Sequence, residues 1–177
     1  RGVTQNASSA GEQFQVGYFL NGSSTGNNGW LSQASFHVAI IDSLTLEPWS
    51  AVEHSGLGHV NNWPAWIGSA QEHLFIFRQN STANMTALEN MLRDSIPDGN
   101  HVLLWTWQHS NFSGYVPMPA SLKSQLGLMG ANQLSTVSDS LPFLFYSKIG
   151  NTSSTIEVVG DSINHKMLTL STNLTSS

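Results

Sequence analysis

The chain has no cysteine, which excludes thiolate zinc sites, thiol nucleophiles and disulfides and makes it indifferent to redox compartment. It is also poor in charge: 10% of its residues are Asp, Glu, Lys or Arg, against an average of roughly 25%. Six basic and eleven acidic residues leave a net −5, and no two basic residues are adjacent. The counterion release that drives nucleic-acid binding therefore has no source, and no nucleic-acid partner is expected. No apolar run approaches the roughly 18–20 residues that span a bilayer, so no membrane insertion is expected, and no charged segment leading into an apolar one opens the chain as a signal peptide would. A Gly-rich phosphate loop with its Lys is missing, as is a G-x-G-x-x-G step behind a strand, so no cofactor is expected.

What is present is a globular composition, 40% apolar and 10% aromatic over 177 residues. That length fits one domain that can bury roughly 70% of its unfolded surface, with a core expected over about residues 13–170 of a single 1–177 unit. Polarity comes from neutral groups: 26 Ser, 12 Thr and 15 Asn. Such a coat suits an extracellular or cell-surface protein. The Arg1-Gly2 start and the Ser/Thr-rich end over 169–177 read as a piece cut from a larger chain, whose other domains would be its neighbours.

Alternation of apolar and polar residues predicts a strand at 14–20, and short apolar runs bounded by turn residues predict strands at 36–41, 74–77, 102–107, 143–146, 155–159 and 167–170. The segments 36–41, 74–77 and 102–107 are apolar on both faces, and 36–41 and 102–107 are expected to be central in a sheet. Residues 21–29, rich in Asn, Gly and Ser, read as a turn, and the Gly150 segment as a hairpin turn. Met85, Leu88, Met91, Leu92 and Ile96 recur at helical spacing, with Thr82 or Asn84 as the cap and Pro97-Asp-Gly99 as the stop. A second helix is predicted over 119–126, stopped by Gly127. Strands and helices without regular β-α-β alternation indicate an α+β, mostly β fold or a helix-decorated sandwich.

Gly22-Ser-Ser-Thr-Gly26 matches G-x-S-x-G, but the nucleophile elbow needs a strand feeding a helix, and Asn27-Asn-Gly follows instead. Glu53, His54 and His59 form the closest grouping of carboxylate and imidazole; it is read either as a solvated loop or as a hydrolase or metal site, with two glycines leaving its geometry undefined. His37, His73 and His101 lie in or beside strands as satisfied sheet residues. The segment 48–66 holds Trp49, Trp63 and Trp66 together with Asn61 and Asn62. Indoles there could stack on a sugar or peptide with amides to orient it, or fold back as a satellite core. Trp105 and Trp107 share one face of a strand and read as core.

Phe36-His-Val-Ala-Ile-Ile-Asp42 with Ser-Leu-Thr-Leu-Glu47 resembles the strand and Thr/Gly/Glu turn of the interleukin-like EMT inducer (ILEI) domain. Residues 88–107, with a helix, Ile96-Pro-Asp-Gly99 and a Val-Leu strand, are similar to that family's next step. Leu126-Gly-Leu-Met-Gly130 and residues 143–150 resemble its later elements, so the likeness runs from about Gln13 to Val159. The animal members' cysteines are absent and Gln108-His109 stands where an acidic residue is frequent, so cytokine-type signalling does not carry over. The resemblance implies a non-catalytic module of two antiparallel sheets, sandwich-like, flanked by two helices. Similar domains occur in large Bacteroidetes surface proteins exported by type IX secretion, and a related one, in the stem of a eukaryotic O-mannose glycosyltransferase, binds sugar.

Four of the five Asp are followed by Ser and an aliphatic residue, making Ser43, Ser95, Ser140 and Ser162 candidate acceptors of the O-glycan that exported Bacteroidetes proteins carry, with turn-borne Ser43 favoured over helix-end Ser95. Seven Asn-x-Ser/Thr sequons, at Asn6, Asn21, Asn80, Asn84, Asn111, Asn151 and Asn173, raise the rival reading of a eukaryotic secreted glycoprotein. The expected function is a non-catalytic extracellular module, not an enzyme, binding a glycan or a partner protein through its loops. A structural spacer without ligand, and a hydrolase or metal site at Glu53, His54 and His59, are the alternatives.

Overall fold

The computed structural model describes residues 2–8, 16–20, 23–28, 34–51, 53–54, 73–107, 116–134, 143–160 and 167–176. The strands are β1 (Gly2–Ser8), β2 (Val16–Leu20), β3 (Ser23–Asn28), β4 (Ser35–Ile41), β5 (Phe75–Arg78), β6 (His101–Trp107), β7 (Phe143–Lys148), β8 (Asn151–Val159) and β9 (Met167–Asn173). The helices are α1 (Thr82–Asn90), between β5 and β6, and α2 (Ala120–Leu128), between β6 and β7. The described chain is thus mostly β.

Five strands form an antiparallel sheet in the order β5-β4-β6-β7-β8. β4 and β6 are central, as their two apolar faces require, in the register Val38↔Leu104 and Ile40↔Val102. Side chains alternate between two faces. On one, Phe36, Val38, Ile40, Phe75, Phe77, Val102, Leu104, Phe143 and Phe145 pack against Met85, Leu88, Met91 and Leu92 of the first helical segment and Leu122 and Leu126 of α2. On the other, Ala39, Ile41, Ile76, Leu103, Trp105, Leu144 and Tyr146 are buried with Leu174, one residue beyond β9.

Both helices differ at their ends from what the sequence suggests. The cap of α1 is Ser81, whose hydroxyl accepts from the Asn84 amide at 3.2 Å, rather than Thr82 or Asn84. Past Asn90 the helix widens into a π turn over Met91–Ser95, which keeps Met91 and Leu92 against the core before Pro97 and Gly99 (φ +89°) stop it. Gly127 does not end α2. The stop is Gly130 (φ +103°), where the Ala131 amide donates to the Leu126 carbonyl and the Gly130 amide to the Gly127 carbonyl, each at 3.0 Å. Gly130 also lies against β8: a Cβ there would stand 2.5 Å from Thr155 Oγ1.

The remaining strands pair antiparallel in the order β3-β2-β1-β9. β2 falls within the predicted 14–20, but β1 and β3 are corrections. Residues 23–28, read as a turn, pair with β2 through a register shift at Tyr18/Phe19, so Ser24 of the G-x-S-x-G match sits within a strand and not on a nucleophile elbow. β1 carries no apolar alternation, yet pairs with β2 on one side and β9 on the other; backbone hydrogen bonding fixes such a strand, and side-chain period carries no trace of it.

Short turns cross-link one end of the five-stranded sheet. Asp42 Oδ1 accepts from the amides of Leu44 and Thr45, and these bonds lower the Asp42 pKa below the usual carboxylate value, the Thr45 amide most. Leu46 is held at φ +57°. The Ser43 amide donates to Asn100 Oδ1 at 2.9 Å, and the Gly99 amide to the Ile149 carbonyl at 2.9 Å.

Candidate functional site at the Trp49 turn

The turn after β4 leads the chain back along that strand. Ile41 bridges to Pro48 and the Trp49 amide donates to the Ile40 carbonyl at 2.9 Å. Trp49 is half-buried, resting on the helix-covered core. His54 stacks on its ring, with centroids 4.2 Å apart and planes 8° from parallel. Two further bonds hold this pair. His54 Nδ1 lies 2.9 Å from the Ser50 carbonyl and His73 Nδ1 lies 3.2 Å from the Trp49 carbonyl. A carbonyl only accepts, so in each ring Nδ1 carries a proton. The Glu53 amide reaches Ser50 Oγ at 3.4 Å while Glu53 itself is exposed.

What this arrangement can do follows from its parts. Hydrogen bonds among Ile40, Trp49, Ser50 and His54 hold the described part of this turn, which offers an aromatic edge with an imidazole beside it. One face of Trp49 is taken by His54, so a stacking ligand would meet the outer face of the imidazole or the exposed rim of the indole. His73 is the residue that sequence reasoning assigned only to the sheet: it lies just before β5 and ties the far end of the 50–73 connection back to Trp49. Its position beside a strand carried no signal of that role. Among the described residues no three His, Asp or Glu side chains converge as metal ligands. His59, Asn61, Asn62, Trp63 and Trp66 lie outside the described residues.

Of the other singled-out residues, Ser43 lies in the turn after β4. It is 7% exposed, with its amide bound to Asn100 Oδ1, whereas Ser95 at the end of the π turn is half-buried. Ser140 and Ser162 lie outside the described residues. Trp105 is fully buried, as expected of core; the Trp107 side chain lies outside the described part. His37 is fully buried, with Nε2 3.0 Å from Ser35 Oγ and its ring edge-on to Trp105. Burial lowers its pKa to about 3, so it is neutral. His101 Nε2 donates to the Thr175 carbonyl at 3.1 Å, and Nδ1 lies 2.9 Å from the Tyr146 hydroxyl. Burial lowers the His101 pKa, the Thr175 bond opposing and Lys148 reinforcing that shift. Both histidines lie in strands of the five-stranded sheet.

No protein-family model matches this chain, and no curated protein matches it either. No helix among the described residues is long and apolar enough to cross a membrane.

Proposed function

We propose that the chain is a non-catalytic extracellular module of a larger surface protein, similar to the ILEI domain, which binds a glycan or a partner protein through the segment that begins at Trp49. The observation that carries this reading is the Trp49–His54 stack, an aromatic platform held by backbone carbonyls at the head of a stretch that also supplies Asn61, Asn62, Trp63 and Trp66. A site prepared in this way loses little side-chain entropy on binding. The resemblance to the ILEI domain is supported by Leu46, whose φ of +57° is the conformation a Gly favours in that family's turn. It would make the β3-β2-β1-β9 ladder a second sheet packed on the Trp105 face of the first, and the burial of Leu174 on that face favours such packing. Export by a type IX route in a Bacteroidetes host, with O-glycan on Ser95, Ser140 or Ser162, belongs to the same proposal.

A glycan and protein-partner screen on the chain tests it. Trp63→Ala or Trp66→Ala should weaken the captured ligand by about 1–3 kcal/mol, the effect of a packed aromatic anchor, while leaving the melting temperature nearly unchanged. A spacer would capture nothing. If both substitutions instead unfold the chain, those indoles are satellite core and the binding reading fails at this segment.

A further inference from the structure

The sequons with described side chains are not equivalent. Asn84 is 9% exposed, and its Nδ2 donates to the Arg78 carbonyl at 2.9 Å and to Asn80 Oδ1 at 3.0 Å. Both amide protons are in use, so a sugar on that nitrogen would break one bond and force a glycan into the base of α1. Asn80 is exposed, but its Oδ1 serves Asn84, and the two residues after it are the cap and first residue of α1. Asn173 is exposed, yet Leu174 is buried beside Trp105 and the Thr175 carbonyl is bound by His101. Asn151, at the tip of the β7–β8 hairpin, differs from all of these: Asn151, Thr152 and Ser153 are each exposed.

Local bonding there suits the chemistry. Asn151 Oδ1 accepts from Ser153 Oγ at 2.6 Å and from the Ser153 amide at 3.2 Å, while Nδ2 donates to no described residue and faces solvent. The sequon hydroxyl thus already engages the amide oxygen of its own asparagine.

We propose that Asn151 is an N-glycan acceptor, and the one that the folded chain tolerates best among the sequons with described side chains. In the transfer, Nδ2 bonds to the anomeric carbon of an oligosaccharide carried on a lipid diphosphate. The bond from that carbon to the diphosphate oxygen breaks, the lipid diphosphate leaves, and Nδ2 gives up one proton. β8 is the last strand in the sheet order, separated from β4 by β6 and β7, so the hairpin that carries Asn151 lies at a margin of the described sheet. This inference belongs to the rival eukaryotic reading and stands apart from the type IX and O-glycan part of the proposed function, while it leaves the ligand-binding part untouched.

The test is secretion of the full chain from a eukaryotic host behind an added signal peptide, followed by enzymatic removal of N-glycans in heavy-oxygen water and peptide mapping. The peptide containing Asn151 should carry the heavy-oxygen mark and the Asn84 peptide should not. Asn151→Gln should lower the intact mass by one glycan, and Ser153→Ala should abolish the mark while the protein stays folded and secreted. A folded, secreted chain with bare Asn151 overturns the proposal, as does one in which Asn84 is the occupied site. If the Ser153→Ala protein is not secreted, the wild-type peptide map alone decides between these outcomes.

Discussion

The two faces of the five-stranded sheet are equally buried and chemically unlike. The face under the helices buries aliphatic and aromatic carbon with the hydroxyls of Thr106 and Ser147, whereas the opposite face buries His37, Trp105, His101 and Tyr146 among its aliphatics. On the first, burial is favourable at any pH. On the second, burial lowers the pKa of both imidazoles, so that face links folding to protons. Burial by itself therefore does not distinguish an inert core from a titrating one; the buried side chains must be named.

The largest effect expected is acid sensitivity from the second face. The folded-state pKa of His37, about 3, lies below its ordinary 6.5, so the unfolded chain takes up the proton first. Its contribution is complete above about pH 6.5 and is lost as pH falls toward 3. The drop amounts to something on the order of 4 kcal/mol over that window, and His101, shifted in the same direction, adds to it. Chemical denaturation at a series of pH values, with His37→Leu for comparison, isolates the effect. Parallel curves for the two proteins below pH 6 would show that His37 does not carry it.

Next in size is a truncation on the helix-covered face. Leu88 is fully buried between α1 and the sheet, and Leu88→Ala should cost about 2–5 kcal/mol at every pH. A loss below about half a kcal/mol would mean that α1 is not packed as described. A loss that grew in acid would break the contrast between the faces.

The first face is legible in the sequence and the second only in part. Short apolar runs mark β4, β6 and β7 and a period of 3.6 marks the first helix, because apolar side chains there face a core. His37 and His101 read correctly as sheet residues, but the partners of His101, Tyr146 and Thr175, lie 45 and 74 positions away, and no local pattern encodes such pairings. β1 and β3 escape sequence reasoning for a related reason: their residues are largely polar and small, and their pairing comes from neighbouring backbones. In the candidate site, Trp49 stands out by composition. The stack on His54 and the tie to His73 do not, since both depend on how the chain turns back along β4.

Two glycines on the helix-covered side provide the finest test. Both fall in Leu126-Gly-Leu-Met-Gly130, and the rule that Gly stops a helix points to the first. Gly127 is helical, exposed and has open space where a Cβ would go. Gly130 takes the left-handed conformation and meets Thr155 and the Thr152 carbonyl of β8, while the Met129 carbonyl beside it accepts from Ser147 and Thr155 hydroxyls at 2.8 and 2.9 Å. Alanine at 130 therefore forces an unfavourable φ and pushes α2 away from the sheet, and should cost about 2 kcal/mol. Alanine at 127 removes backbone freedom from the unfolded chain without meeting any atom, and should stabilise by about 0.5 kcal/mol, the lower end of the Gly-to-Ala range because it lies in the last turn. Thermal melts of the two variants should move in opposite directions. A Gly127→Ala protein that melts below the parent would place the end of α2 at Gly127 after all, and with it would go the docking of this helix on β8.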